Sequence, residues 1–203
     1  MTSLTATQGT LAAALWPLAG EGAENLRFLR NLVLAICGSL FVAAAAQVQV
    51  PLWPVPITGQ TFAVLIVGMV LGMRLGAATL MLYIAEGMVG LPVFAKLSAG
   101  PAVMAGPTGG YIVGFILAAG LVGYLAERGW DRSVLRTALA MLCGNIAIYV
   151  PGLLWLGTVV GWDKPVLEWG LTPFLVGDLL KLALAAALLP AAWKLLRRYT
   201  KGP

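Results

Sequence analysis

The most informative feature of this 203-residue chain is its shortage of charge. Lys and Arg number 13 and Asp and Glu number 8, together 10% of the residues, whereas a soluble domain carries about 25%. The hydrophobic share is 60%, and the mean hydropathy is +0.91. Because a soluble fold could not bury so much apolar surface, the composition predicts an integral membrane protein built of helices.

Two residue types that carry much of protein chemistry are absent or rare. The chain has no His, which excludes Ser–His and Cys–His catalysis and zinc or haem ligated by His. Two cysteines, Cys37 and Cys143, are too few for a Cys-only zinc site or an iron–sulfur cluster, so we expect no metal site. The net charge of +5 is scattered among apolar runs and does not indicate nucleic-acid binding.

Uncharged runs predict six membrane-spanning helices. Residues 31–73 contain no charged side chain, which is far longer than the roughly 20 residues of one span, and three prolines at 51, 54 and 56 divide the run. The predicted all-α membrane domain covers residues 27–196. A tail or short surface helix precedes it over 1–26, without the positive segment of a secretory signal, and a basic tail follows over 197–203. The predicted spans are 28–48, 59–73, 75–89, 108–127, 137–156 and 171–195.

The basic residues also predict the orientation. With both termini in the cytoplasm, ten Lys and Arg residues fall in inner segments, while Lys96 and Lys164 fall outside and Lys181 lies within the last span. Cytoplasmic segments of membrane proteins are enriched in basic residues. We therefore expect cytoplasmic N- and C-termini.

Ionisable residues inside the spans are functional candidates, because charge in hydrocarbon is costly. Asp178 and Lys181 are three positions apart and share one helix face. They could neutralise each other structurally, or form a pocket whose acid and cation suit a ligand with N–H donors and a carboxylate. Glu86 could bind a ligand or lie at the interface, and a loop lysine such as Lys96 is usually only solvated.

Uncharged polar and aromatic residues give weaker indications. Asn145 could hydrogen-bond a neighbouring helix or a ligand. Thr58, Gln60 and Thr61 begin the second span, where they could cap the helix or line a cavity. Most tryptophans near the outer face, Trp53 among them, are expected to be interfacial anchors.

Small residues recur at four-residue spacing in the first span, at Ala35, Ser39 and Ala43. Such a surface lets another helix approach closely. The neighbour could be another helix of this chain or another protein.

Five segments in series resemble the BioY family, the substrate-binding subunits of energy-coupling-factor (ECF) transporters for biotin. The resemblance extends from about residue 43 to 190. Each segment is modest alone, but their order and spacing make the match specific. The segments are VPITGQTFA at 55–63, GLPVFA at 90–95, GPTGGY at 106–111, the Gly, Asn, Tyr, Leu and Trp positions within 144–156, and PFLVGDLLK at 173–181.

The resemblance implies a six-helix protein of the bacterial cytoplasmic membrane that binds biotin from outside, without a cofactor or enzyme activity of its own. It also implies docking to one transmembrane coupling protein and two ATPase subunits. The chain lacks the Gly-x-x-x-x-Gly-Lys-Ser/Thr phosphate loop, so any ATP would be used by those partners. The small-residue surface at Ala35, Ser39 and Ala43 matches the family's docking face.

The same resemblance assigns roles at the site. Asp178 would accept N–H bonds from the ureido ring of biotin, and Lys181, Lys96 or both would meet its carboxylate. The family often has glycines, or in some members an Arg, where this chain has Lys96-Leu-Ser-Ala, which leaves the partner of the carboxylate open. Other positions that match the motifs are Glu86, Gln60, Asn145, Tyr149 and Tyr111.

Three other functions stay open at this point. A stand-alone, even oligomeric, biotin transporter would need no ATPase partner. An intramembrane enzyme could use Asp178 and Lys181 as general acid and base, but the absence of His and of a carboxylate pair disfavours it. A membrane scaffold without transport activity would bind no small molecule.

Overall fold

The computed structural model describes residues 9–18 and 23–200, and most of them are helical. A two-stranded antiparallel hairpin, β1 (Gln49–Val50) and β2 (Ile57–Thr58), pairs Gln49 with Thr58. Single 3-10 turns lie at 95–97, 130–132 and 172–174. The α-helices are α1 (Leu11–Leu15), α2 (Ala23–Gln47), α3 (Gln60–Leu71), α4 (Met73–Met88), α5 (Pro101–Ala105), α6 (Gly109–Glu127), α7 (Val134–Val160), α8 (Val166–Gly170) and α9 (Leu175–Thr200).

Six long helices, α2, α3, α4, α6, α7 and α9, lie where the sequence predicts the six spans. Within the described ranges, four helical stretches are long and apolar enough to cross a bilayer: 24–47, 109–127, 134–160 and 166–199. Helices α3 and α4 have 12 and 16 residues, fewer than the roughly 20 that a straight span needs. The chain is therefore a multi-pass helical membrane protein, and the count of six crossings stays a prediction.

The junction between α3 and α4 explains why both helices are short. Gly72 separates them with φ 87°, a backbone conformation that glycine adopts without the steric cost borne by other residues. A Cβ at this position would also lie 2.5 Å from the Glu127 carboxylate of α6. One glycine thus allows the chain to reverse in close contact with α6.

Both ends of the chain differ in detail from the predicted boundaries. A short helix, α1, forms within the predicted N-terminal tail and buries Leu11 and Ala12. At the other end, α9 continues to Thr200, so residues 197–200 extend the helix instead of beginning a tail. Residues 1–8, 19–22 and 201–203, which complete the two predicted tails, lie outside the described residues.

Helix α6 lies at the centre of the bundle and packs against α3, α4 and α7. Its glycines let these helices approach closely. A Cβ at Gly110 would lie 2.4 Å from the Pro151 carbonyl oxygen, and one at Gly114 would lie 2.8 Å from that of Ile148. The glycines that open this helix therefore serve helix packing against α7.

Two of the three residues of the predicted docking face on α2 are buried within the chain, and docking itself stays a prediction. Ser39 is completely buried and Ala35 is 8% exposed, and the Ser39 hydroxyl donates to Glu86 Oε1 of α4 at 3.0 Å. Ala43 is half-buried. Because α4 of the same chain covers this side of α2, Ala35 and Ser39 serve internal packing.

Candidate functional site

A cavity of about 220 Å³ opens at the end of the bundle where the β-hairpin, the loop after α4 and the first turns of α3 and α6 meet. We call it the ligand cavity. Most of its wall is apolar or aromatic, and polar groups line a smaller part. Its lining includes Trp53, Val55, Thr58, Gln60, Thr61, Phe94, Lys96, Ser98, Thr108, Tyr111, Ile112, Phe115, Ile148 and Phe174.

The hairpin forms one wall because its sequence cannot continue the helix. Prolines at 51, 54 and 56 disfavour helical backbone at and before each position. The segment therefore leaves α2, folds back through β1 and β2, and returns to the bundle at Gln60. Trp53 lines the cavity and contacts the Trp169 ring edge-on, with the ring centroids 5.2 Å apart, so it does more than anchor the interface.

Gln60 lines the cavity as predicted and is 6% exposed. Its Nε2 donates to the Tyr83 hydroxyl at 2.8 Å, and its Oε1 accepts from the Thr58 hydroxyl at 3.0 Å. The Tyr83 hydroxyl in turn donates to the Val93 carbonyl oxygen at 3.1 Å. These contacts fix the amide and connect the start of α3 to α4 and to the loop that follows it.

Asp178 and Lys181 form one network with Thr61 and Tyr149, which we call the Asp178 network. The Lys181 Nζ lies 3.2 Å from Asp178 Oδ1 and 2.7 Å from the Thr61 hydroxyl. The Thr61 hydroxyl donates to Asp178 Oδ1 at 3.2 Å, and the Tyr149 hydroxyl donates to Asp178 Oδ2. Asp178 is 5% exposed. The carboxylate is thus held by groups from three helices.

The Asp178 network lies directly behind the ligand cavity. Thr61 lines the cavity and contacts both Asp178 and Lys181, whereas neither charged residue belongs to the lining. Tyr149 packs against the cavity residue Phe174, with the ring centroids 6.3 Å apart. The two residues thus pair with each other and also contact the wall of a cavity, and their role toward a ligand stays a prediction.

Tyr111 and Lys96 line the cavity and differ in how far their polar groups are engaged. The Tyr111 hydroxyl donates to the Gly170 carbonyl oxygen at 2.9 Å. Lys96 is exposed, adopts a left-handed backbone with φ 61°, and has no hydrogen bond or ion pair with any residue that the structure describes. It is also the one ionisable residue other than Tyr111 in the described lining, so this side of the cavity favours an anion.

Two predicted site residues belong neither to the cavity lining nor to the Asp178 network. Asn145 is 8% exposed in α7 and lies outside the lining. Glu86 accepts a hydrogen bond from Ser39 between α2 and α4, so its carboxylate is directed at a neighbouring helix. A role for either residue in ligand binding stays a prediction.

Phe94 and Tyr83 belong to the site and were not singled out in the sequence. Both are fully buried. Phe94 lines the cavity and packs edge-on against Tyr83, with the ring centroids 5.5 Å apart. Gln47 Nε2 donates to the Phe94 carbonyl oxygen at 3.0 Å and so fixes the loop. Phe94 lies within one of the motif segments, and a lone Tyr in an apolar span was the available signal for Tyr83.

The comparisons with known proteins agree with one another. The model of the BioY family matches residues 21–198. The chain is 41% identical over 150 residues to the probable biotin transporter BioY of Pyrococcus horikoshii, which covers 72% of this chain and 88% of the relative. It is 37% identical over 158 residues to the biotin transporter BioY of Thermotoga maritima, and this match covers 78% of this chain and 92% of the relative.

A solved structure shares the fold. The S-component for biotin from an ECF-type ABC transporter superposes with a TM-score of 0.67 and covers 88% of this chain and 95% of that chain. At 22% identity, this likeness establishes the arrangement of the helices.

Proposed function

This chain belongs to the BioY family, and from that premise we propose that it binds biotin in the ligand cavity and serves in biotin uptake across a membrane. It is a transport protein and not an enzyme. The observation that carries the proposal is the buried Asp178 network behind an apolar cavity with a free lysine at its edge. Biotin has three parts that match these features. Its polar ureido ring has N–H donors for Asp178, its body and chain are apolar like the cavity wall, and its carboxylate is opposite in charge to the lysine.

Hydrogen-bond counting supports one assignment for the biotin carboxylate. An ammonium group has three N–H donors, and Lys181 has three acceptors within reach: Asp178 Oδ1, the Thr61 hydroxyl and the Thr58 carbonyl oxygen, at 3.2, 2.7 and 2.8 Å. Lys181 therefore has no donor left for a ligand. Lys96 has all three available at the cavity, so Lys96 meets the carboxylate in this proposal.

Asp178 then serves the ureido end. Each carboxylate oxygen has two acceptor positions, and Oδ2 accepts from the Tyr149 hydroxyl alone among the described residues. Lys181 pairs with Asp178 and holds Thr61 at the cavity wall. Gln60 and Tyr111 shape the polar part of the same wall.

The experiment uses biotin and its uncharged amide as paired probes on the purified full-length chain. We expect Lys96→Gln to weaken binding of biotin about five-fold, on the order of 1 kcal/mol for an exposed ionic contact, and to leave binding of the amide unchanged. Lys164→Gln is the matched control, because Lys164 is also a half-exposed lysine of a loop but pairs with Asp163 at 3.1 Å.

Two results would count against the proposal in different ways. If the folded wild-type chain binds no labelled biotin, the function is wrong. If Lys96→Gln weakens biotin and its amide equally, or weakens neither, the function survives and the carboxylate belongs elsewhere.

The proposed location is the bacterial cytoplasmic membrane, with six crossings, both termini inside and the ligand cavity outside. Basic residues concentrate at the end of the bundle remote from the cavity, which supports this orientation by the positive-inside rule. These residues are Arg27, Arg30, Arg74, Arg128, Arg136, Arg197 and Arg198.

We further propose that the chain works with an ECF module of one transmembrane coupling protein and two ATPases, and that it needs no cofactor of its own. The shared fold with a biotin S-component supports this. Affinity purification from native membranes tests it: co-purification of an ATPase pair supports the module, and biotin uptake by liposomes that contain this chain alone would favour a stand-alone transporter.

A further inference from the structure

A second cavity, of about 540 Å³, lies at the end of the bundle opposite the ligand cavity. Helix α1 forms one side, and the first turns of α4, the N-terminal half of α2 and the last turns of α6 form the others. Three arginines line it: Arg30 of α2, Arg74 of α4, and Arg128, which directly follows α6. We call it the arginine cavity.

The positive charge of the arginine cavity is not neutralised within the described part of the chain. None of the three arginines forms an ion pair there. Glu127 is the one carboxylate in the described lining, and its Oε1 accepts the Met73 backbone N–H at 2.9 Å. Three cations and one engaged carboxylate leave a concave site with an excess of two positive charges.

Two of the arginines are held in position before any ligand arrives. Arg30 donates through Nη1 to the Trp16 carbonyl oxygen at 2.9 Å and through Nη2 to Asn31 Oδ1 at 3.0 Å. The Arg128 guanidinium lies 3.3 Å from the centre of the Tyr124 ring. Arg74 is exposed and has no hydrogen bond or ion pair among the described residues. Guanidinium groups match the geometry of phosphate oxygens well.

The surroundings favour a lipid as the source of that phosphate. Helix α1 buries Leu11 and Ala12 against the bundle, while Leu15 and Trp16 stay 62% and 47% exposed. Exposed tryptophans of membrane proteins concentrate at the level of the lipid headgroups. Exposed apolar side chains of α2, such as Phe28 at 71%, extend beside this region and could contact acyl chains.

We propose that the arginine cavity binds the phosphate group of an anionic phospholipid. The site is distinct from the ligand cavity and does not depend on which small molecule the ligand cavity holds. A bound lipid would join α1, α2, α4 and α6 at this end of the bundle.

The experiment measures phosphatidylglycerol binding to the full-length chain by native mass spectrometry, after purification in a neutral detergent and titration with the lipid. Each arginine near a membrane surface contributes about 1 kcal/mol to anionic lipid binding, which corresponds to about five-fold in affinity. We expect Arg74→Gln and Arg128→Gln each to weaken binding by about that factor. Phosphatidylcholine, which has no net charge, should bind far less to the wild type.

Arg136→Gln is the matched control, because Arg136 is an exposed arginine at the same end of the bundle and lies outside the cavity lining. It should bind phosphatidylglycerol like the wild type. Equal loss in Arg136→Gln would overturn the proposal in favour of diffuse attraction. Unchanged binding in both cavity variants, or displacement of the lipid by millimolar inorganic phosphate, would also overturn it. An unchanged midpoint of thermal unfolding in detergent shows that each variant is folded.

Discussion

Asp178 and Asp131 are both buried carboxylates. Asp178 lies in the first turn of α9, and Asp131 lies in the 130–132 turn, against Trp193 near the far end of α9. Asp178 accepts from two hydroxyl groups and pairs with Lys181 at 3.2 Å. Asp131 is completely buried, accepts from the Trp193 indole N–H, and has the Arg132 Nε 4.0 Å away. The two acids are therefore similar in burial and each has a cation nearby, but Asp131 Oδ1 accepts no hydrogen bond among the described residues.

The difference between them is the space beside them. A residue bonded to Asp178, Thr61, lines the ligand cavity. The partners of Asp131, Trp193 and Arg132, line a different and strongly basic groove together with Lys194, Arg197 and Arg198, and the indole ties the 130–132 turn to α9. Buried charge alone thus does not identify a binding site, and what separates the two acids is the chemistry of the adjacent cavity wall, which is mostly apolar and aromatic beside Asp178 and basic beside Asp131.

The strongest way to break this comparison is to remove the charges of the Asp178 network. We expect Asp178→Asn and Lys181→Ala each to weaken binding of labelled biotin by about 30-fold or more, which is about 2 kcal/mol, the range of a hydrogen bond to a buried charged group. Asp178→Asn removes the charged acceptor, and Lys181→Ala leaves Asp178 buried without its cation. Equilibrium binding to purified protein measures both effects.

The exposed pair Asp163 and Lys164 provides the control, with N–O distance 3.1 Å and side chains 74% and 50% exposed. Exposed pairs contribute about 0–1 kcal/mol, so Asp163→Asn and Lys164→Ala should bind biotin like the wild type. If the two network variants fold and also bind normally, the proposed site is misplaced.

The second test removes the partner of Asp131. Trp193→Phe keeps a ring at this position and deletes the indole N–H, so a buried carboxylate loses its donor. We expect unfolding to become easier by about 2 kcal/mol, seen as a lower midpoint of thermal unfolding in detergent, with biotin affinity unchanged. A loss of biotin affinity comparable to that of Asp178→Asn would show that Asp131 contributes to ligand binding and is not only structural.

The helices were predictable because prolines and charges delimit them in a chain that is otherwise apolar. The start of α3 at Gln60 follows three prolines, and Arg74 marks the reversal after Gly72. Motif segments also predicted Gln60 and Tyr111 at one cavity, although they are distant in sequence. These signals depend on residues that differ in kind from the apolar background.

The errors have a common physical cause. In a membrane protein, surfaces that face lipid, core or cavity are all apolar, so composition does not tell them apart. This is why Trp53 was placed among interfacial anchors, while Phe94 was not singled out. Asp131 escaped notice because it lies in a charged loop, where an acid is normally solvated.

The smallest expected effect concerns the pH dependence of Asp131. Burial raises the pKa of its carboxyl above the ordinary value of 3.8, against the lowering effect of the Trp193 hydrogen bond and Arg132. Between the ordinary pKa and the raised one, the folded state holds more protons than the unfolded state, so stability falls as the pH rises through this interval. Asp131→Asn keeps an acceptor for the indole and cannot ionise. We therefore expect the unfolding midpoint of the variant to exceed that of the wild type by an amount that grows from pH 4 upward and then levels off. A difference that stays constant with pH would mean that burial does not raise the pKa of Asp131 in the folded protein.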